Sequence, residues 1–446
     1  MIADLKPYPE YKDSGLPWAG SVPGHWELRP AFGAYTPVLE RNRGLREKTV
    51  LSLSYGRIVV KPADKLHGLV PESFETYQIV NPGDIVLRTT DLQNDHTSLR
   101  VGMVHDRGII TSAYLALRTK AGMAPSFGFQ FLNVWDRSKA IYGYGSGLRQ
   151  NLDFSHFKRM PVALPPAEEQ AAIVRFLDWA NGRLERAIRA KRKIITLLNE
   201  QKQAIIHRAV TRGLDPNAPL KPSGIPWLGD IPAHWEVRRM KNIAQLKSGD
   251  GITSQEIEET GPYPVFGGNG MRGYTSRYTH DGHYVLIGRQ GALCGNINYA
   301  QGKFFASEHA VVATLRPGIS VQWLGELLRT MNLNQYSQSA AQPGLSVERI
   351  KNLAVPFPPE SEGELIARDL IGETAPLTAA ISCLLRRITL LREYRTRLTS
   401  DVVTGKLDVR AAASRLPAAA GSPEPDPSPE EEEFASPDEI MDDEGE

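Results

Sequence analysis

Little in this chain is spaced for catalysis. VVTGKLD (residues 402–408) contains a Gly-Lys pair, but no Ser or Thr follows it, so it is not the GxxxxGK(S/T) loop that cradles nucleotide phosphates. It reads as a helix end, with Gly405 able to take the left-handed conformation. YGYGSG (142–147) and FGGNG (266–270) are glycine-rich, yet neither lies in a strand–turn–helix unit with a later acidic ribose partner. No dinucleotide or methyl-donor site is therefore expected. The Asp- or Asn-Pro-Pro-aromatic tetrapeptide that would hold a target adenine is missing, as is HExxH, and the ten His do not cluster as metal ligands. Cys294 and Cys383 cannot build a disulfide framework or a Cys-based zinc site. The chain reads as a binding protein.

Charge suggests what it binds. The formal net charge of +1 hides two unlike parts. Residues 424–446 carry twelve Asp and Glu, and no Lys or Arg follows Arg415. Setting those twelve aside from the 51 acidic residues leaves 39 against 52 basic ones, a body of about +13. That is a footprint for a polyanion such as DNA. The acidic segment, with PEPDPSPEEEE, has the composition of a disordered, solubilising tail. No uninterrupted apolar run approaches eighteen residues and the first fifteen lack an apolar core, so no membrane span or secretory signal is expected and the cytoplasm is the default address.

The elements that must position a binding surface are written twice. SGLPWAGSVPGHWELR (14–29) and SGIPWLGDIPAHWEVR (223–238) match at ten of sixteen positions, 209 residues apart. The pairs include Trp18 with Trp227, His25 with His234 and Trp26 with Trp235. Repetition of both His points to structural hydrogen bonding, and the four Trp read as core anchors. A second echo, at an offset of 193, matches LPPAEEQAAIV (164–174) with FPPESEGELIA (357–367) and ITLL (195–198) with ITLL (388–391). At that offset AVTRGLD (209–215) also meets VVTGKLD. A repeat this long implies two domains of one kind.

After each Pro-Pro the apolar residues recur every seven positions, as coiled coils require. The first seam is Leu177, Leu184, Lys191, Leu198 and Ile205, with Ile173, Ala180, Ala187 and Ile194 interleaved. The second is Leu370, Leu377, Leu384, Leu391 and Leu398, with Ile381 and Ile388 interleaved. Residues 168–211 predict one helix of roughly 66 Å at about 1.5 Å per residue. A second such helix can return antiparallel and bury both seams, a dumbbell with a pseudo-two-fold axis. Pro376 is expected to kink the second helix. Elsewhere DIVLRTT, VGMVHD, TSAYLAL, HYVLIGR and HAVVATL read as strands, and 266–282 as a glycine-rich, basic loop. The expected fold class is α+β, with two similar β-rich domains separated by two long antiparallel coiled-coil helices.

On these residues the chain resembles the specificity subunit of type I restriction-modification systems. The carriers are the doubled SG(L/I)PW-G--P-HWE, LPPAEEQAAI, the central AVTRGLD with SGIPWLGDIPAHW, GNGMRGYTSRY, IGRQGALCGN and VVTGKLDVR. The resemblance covers nearly everything from 11 to 410. It implies target-recognition domains at 1–165 and 214–359, spacer helices at 166–213 and 360–410, and leaves 411–446 as an acidic tail without a family counterpart. It also implies that each domain reads half of a split DNA sequence, with the gap set by the helices. Two modification subunits, which bind S-adenosylmethionine and methylate adenine N6, would dock on those helices. ATP-dependent restriction subunits would join, and this chain would hold no cofactor, metal or catalytic residue. Two departures are Gly363 where the first copy has Gln170, and Pro376.

The polar residues best suited to reading DNA in the first domain are Arg88, Thr89, Asp91, Gln93 and Asn94, with Tyr144, Ser146 and Arg149. In the second they are Asn269, Arg272, Tyr274, Arg289, Gln290 and Gln338. Arg pairs with guanine, and Asn or Gln with adenine. Each could equally satisfy loop backbone or water. Two other classes were weighed. A stand-alone methyltransferase or nuclease would methylate or cut DNA unaided, and a coiled-coil scaffold would lack salt-dependent DNA binding.

Overall fold

The computed structural model describes residues 5–62, 73–147, 150–291, 294–337 and 344–417. Arg149 and Gln338 lie outside them. Two compact units divide the chain, one of Met1–Arg189 with Ile388–Glu446 and one of Ala190–Arg387. The two long helices are Ala167–Arg212 and Glu360–Val403, and each contributes to both units. The second runs on through Pro376. On either side of that proline, the hydroxyls of Thr374 and Thr378 donate to the carbonyls of Leu370 and Thr374.

In the first unit the motif strand Glu27–Pro30 pairs antiparallel with Pro161–Leu164, the strand that feeds the first long helix. A four-stranded antiparallel sheet has the order Tyr35–Pro37, Leu115–Thr119, Ile85–Leu87, Val101–Met103. The helix Pro125–Arg137 buries Phe127, Phe131 and Trp135 beside Trp26, Phe157 and Phe176. In the second unit the motif strand Glu236–Arg239 pairs with Ala354–Phe357, the strand that feeds the second long helix. Its six-stranded sheet has the order Ala244–Ser248, Ala310–Leu315, His280–Gly288, Ile297–Ala306, Tyr263–Gly267, Gly270–Thr275. Ser320 caps the helix Val321–Thr330, whose Trp323, Leu324, Leu327 and Leu328 are buried. All five expected strands are present. The expected loop after Phe266 is instead a hairpin, because Gly267 pairs with Gly270 across a two-residue Gly-Asn turn.

The coiled-coil seams can be followed within each unit. In the first, Leu177 and Ala180 share a core with Leu398 and Val402, and Glu185 pairs with Arg395 at 2.8 Å. In the second, Ile206, Ala209 and Val210 share a core with Ile366, Ala367 and Leu370, and Lys202 donates to Thr378. Each unit thus packs the start of one long helix on the end of the other, which is antiparallel pairing. Leu184 is buried, and Leu198, Ile205, Leu377, Leu384 and Leu391 are half-buried.

One interleaved position differs from expectation. Ile194 is 46% exposed, whereas Ile188 is 1% exposed and Ile195 is half-buried. From Leu184 the helix presents Ile188 and so steps by four where a strict heptad steps by three. The helix Glu360–Val403 also contains an 18-residue window of mean hydropathy 1.2, enough by length and composition to cross a membrane. That window owes its hydropathy to the seam leucines and isoleucines together with Leu385 and Leu390 outside the seam, which are 53% and 55% exposed.

Candidate nucleic-acid interface

The repeated motif is a clamp. In the first unit Trp26 Nε1 donates to Glu169 Oε1 at 2.8 Å, and His25 Nε2 meets Glu169 Oε2 at 2.8 Å. The Tyr8 hydroxyl donates to the same carboxylate, and burial followed by that bond pushes its pKa far above the usual phenol value. In the second unit Trp235 Nε1 and His234 Nε2 lie 3.1 and 2.7 Å from Glu362 Oε2. Each motif therefore grips the glutamate in the first turn of the helix that follows its own β-rich part. Trp26 and Trp235 are fully buried, and Trp18 and Trp227 pack beside them. The buried Gln170 adds a tie missing from the second copy: its amide bonds Gly122, Ala124 and Pro165 backbone, where Gly363 has no side chain to do so.

The motif also receives the end of the other long helix. Gly405, with φ +73°, closes the second helix while Lys406 N–H donates to Asp401 C=O. A Cβ at Gly405 would fall 2.3 Å from Pro23 Cδ and 3.0 Å from the Trp26 ring. Gly213, at φ +74°, stands likewise against Trp235 and Pro232, but its nearest atom is the flexible Glu362 Oε1. We expect Gly405→Ala to cost about 2–3 kcal/mol, from strained φ plus overlap with backbone-tethered proline, and Gly213→Ala about 1 kcal/mol. Calorimetric melting of the two variants checks this; equal losses would contradict it.

On this frame the first unit carries a loop, 89–98, held from inside by Arg100. That guanidinium is 0% exposed. It donates to the carbonyls of Arg88, Thr90, Asp91 and Asp95 and to the Tyr142 hydroxyl, and pairs with the Asp95 carboxylate at 3.4 Å. Burial opposes ionisation of Asp95, but hydrogen bonds from Ser98 and Thr97 and the Arg100 charge outweigh it, bringing its pKa to about 2. Arg100 N–H itself donates to the buried Asp136 at 2.7 Å. His96 stacks on the Tyr142 ring at 4.5 Å, with the Lys139 ammonium 5.3 Å from that ring.

The structure gives the sequence candidates unlike places. Gln93 and Asn94 are exposed at the loop crest, where Asn94 donates to Asp91. Asp91 takes φ +56°, and Arg88 reaches toward Asp95 at 3.6 Å. Thr89 is buried and bonded to Ala113 C=O, a structural role. Asn151 joins the second cluster to the first: it bridges Ser146, its side chain accepts from Asp91 N–H, and Leu152 N–H donates to Thr89 C=O. Tyr144 packs edge-on against Trp135, and Ser146 bonds His156. Arg100, His96, Tyr142 and Asn151 escaped the sequence reading. The one available signal was that Arg88 and Arg100 bracket the loop symmetrically.

In the second unit three connections meet at one end of the six-stranded sheet, formed by 267–270, by 288–291 with 294–297, and by 306–310. A Cβ at Gly268 would lie 3.1 Å from His309 O, 3.5 Å from Gly288 Cα and 3.6 Å from Gln290 O. Asn269 and Gln290 are exposed there, with Asn296 and His309 beside them. Arg272 is exposed and lies across Gly267, and Arg289 bonds Ser248 at 3.3 Å. Tyr274 is half-buried and paired through its backbone with Glu258. No group of three or more His, Cys, Asp or Glu suited to a metal occurs among the described residues.

Comparison with known proteins fits this architecture. The family described as "Type I restriction modification DNA specificity domain" matches residues 232–371. The type I restriction enzyme EcoprrI specificity subunit of Escherichia coli is 42% identical over 149 residues, 32% of this chain and 37% of that protein. The MjaVIII specificity subunit of Methanocaldococcus jannaschii is 28% identical over 185 residues, 41% of this chain and 40% of that one. The alignments thus span less than half of each relative. A solved chain described as "Structural basis underlying complex assembly and conformational transition of the type I R-M system" shares the fold, with a TM-score of 0.63 at 16% identity, over 86% of this chain and 99% of that one. The doubled clamp, the paired long helices and these likenesses agree: residues 232–371 match the type I restriction modification DNA specificity domain, and the chain is similar to type I specificity subunits over part of its length and shares the fold of a solved type I R-M chain.

Proposed function

We propose that the chain is the non-catalytic DNA-reading subunit of a type I restriction-modification assembly in the cytoplasm. Each unit reads one half of an asymmetric, split site, and the length of the paired helices sets the gap. Two partner modification subunits supply S-adenosylmethionine and carry out adenine-N6 methylation, and restriction subunits join them. Adenine must leave the stack to be methylated, so the partner performs the flipping while this chain fixes its register.

The observation that carries this reading is that one frame supports two different surfaces. The Trp–His–Glu clamp and its paired strands recur, yet the first unit presents an Arg-cored loop and the second a glycine-lined convergence of turns. Like frames with unlike surfaces suit two different half-sites. Ile194, Leu197, Leu385 and Leu390, exposed on the long helices, offer apolar footing for protein partners.

The test is an exchange confined to the surface. Residues 31–160 lie between the two frame strands of the first unit, so replacing them with another family member's equivalent leaves Trp26, Glu169 and Gly405 in place. Base-resolution methylation mapping of cells with the exchanged chain and its modification partner should show one half of the motif changed and the other kept. Change in both halves would defeat the idea of independent reading heads.

A further inference from the structure

The convergence of turns in the second unit has a chemical polarity. Asn296 Nδ2 donates to Asn269 Oδ1 at 3.0 Å, and Asn296 Oδ1 is itself taken by Ile297 N–H at 3.0 Å. His309 Nδ1 lies 3.0 Å from Gln290 Oε1, while His309 Nε2 sits 3.2 Å from Glu308. Both exposed amides thus have their oxygens directed at a neighbouring side chain. Their NH2 groups have no partner among the described residues, and neither has the Arg272 guanidinium, which can only donate.

The backbone holds this arrangement stiffly. Arg289 N–H donates to His309 C=O at 2.9 Å, Gly288 N–H to Asn296 C=O at 2.8 Å, Gly295 N–H to Gly288 C=O at 2.8 Å and Ser307 N–H to Phe266 C=O at 2.9 Å. Gly268 lets the three turns close to van der Waals contact, where a side chain would press on His309 C=O.

A free Asn or Gln matches adenine because it offers an acceptor to N6 and a donor to N7. With its oxygen held to a neighbour, the amide keeps a second lone pair but presents its NH2 more freely than its oxygen. We infer that Asn269, Gln290 and Arg272 form a donor-rich rim that binds acceptor atoms of the second half-site and prefers guanine, with its adjacent O6 and N7 acceptors, over adenine. This rests on the proposed DNA-reading role and reverses the pairing that side-chain type alone suggests for Asn and Gln. Phosphate oxygens share the same acceptor chemistry, and the experiment separates the two sources.

The variants Asn269→Asp and Gln290→Glu replace each NH2 with an acceptor at constant shape. They are exposed, and recognition of the first half-site reports on folding in the same sample. The complex with modification subunits is assayed by methylation mapping and by DNA affinity at several salt concentrations. Contact with a base edge predicts loss of guanine preference at one position of the second half-site, by roughly 10- to 100-fold, with the first half unchanged. Contact with phosphate predicts an unchanged motif, a uniform loss of affinity and a shallower salt dependence. Either result supports the rim. Wild-type motif, affinity and salt dependence in both variants would overturn it, as would adenine preference at the position these residues read. If the wild-type complex shows no DNA motif that depends on this chain, the DNA-reading role has failed instead.

Discussion

An Arg100→Met chain is expected to lose about 3–5 kcal/mol of stability in the first unit and to stop reading the first half-site. Met approximates the volume of the arginine stem but removes every donor. The carbonyls of Arg88, Thr90, Asp91 and Asp95 and the Asp95 carboxylate then lose their common partner inside a site with no exposure at position 100. Breaking one side of a buried pair costs about that much because the remaining charge stays buried. Arg100→Lys keeps the charge but cannot fork to four carbonyls, so it should fall between the two. Chemical denaturation measures the stability, and methylation mapping measures the reading. A variant that melts like wild type, or that loses both half-sites equally, contradicts the assignment.

The second large effect concerns the clamp, and its two copies make an internal comparison. Glu169 is 4% exposed and serves Trp26, His25 and Tyr8; Glu362 is 23% exposed and serves only Trp235 and His234. Glu169→Ala leaves two buried donors unsatisfied and should cost about 4 kcal/mol, whereas water can replace Glu362, so Glu362→Ala should cost about 1–2 kcal/mol. Calorimetry on both variants decides the matter. Equal costs would mean that burial of the carboxylate does not set the strength of the clamp.

The doubling of the frame was legible because Trp and His, seven and ten in the chain, are rare enough for matched spacing to stand out. The helices were legible because a heptad is a local pattern. Neither reading could reach contacts made over hundreds of residues. That Gly405 abuts Pro23 and Trp26 is invisible to periodicity, although the left-handed turn at Gly405 was not. Ile194 was misplaced because burial passes from Leu184 to Ile188, a step of four that a strict heptad does not allow for. Among the candidate readers, side-chain type found the right stretches but not the roles. Thr89 is buried structure, the oxygens of Asn269 and Gln290 are committed to neighbours, and Arg100, the residue that shapes the first loop, looked like one more basic residue beside a strand.

The first unit closes its frame with residues from both ends of the sequence. Lys6 bridges Asp408, and the Tyr11 hydroxyl donates to Gly405 C=O across 394 residues. The second unit is one continuous stretch, Ala190–Arg387. The residues of the second unit are therefore all synthesised before those of the first are complete. Trp26, Pro23 and Tyr8 leave the ribosome early but wait for residues 388–417, while the later unit already has every residue it needs. Synthesis of the chain from Tyr11 to Gly405, 394 residues on, separates the two halves of the first unit's core, and during that interval the nascent chain holds exposed apolar surface for chaperones to cover.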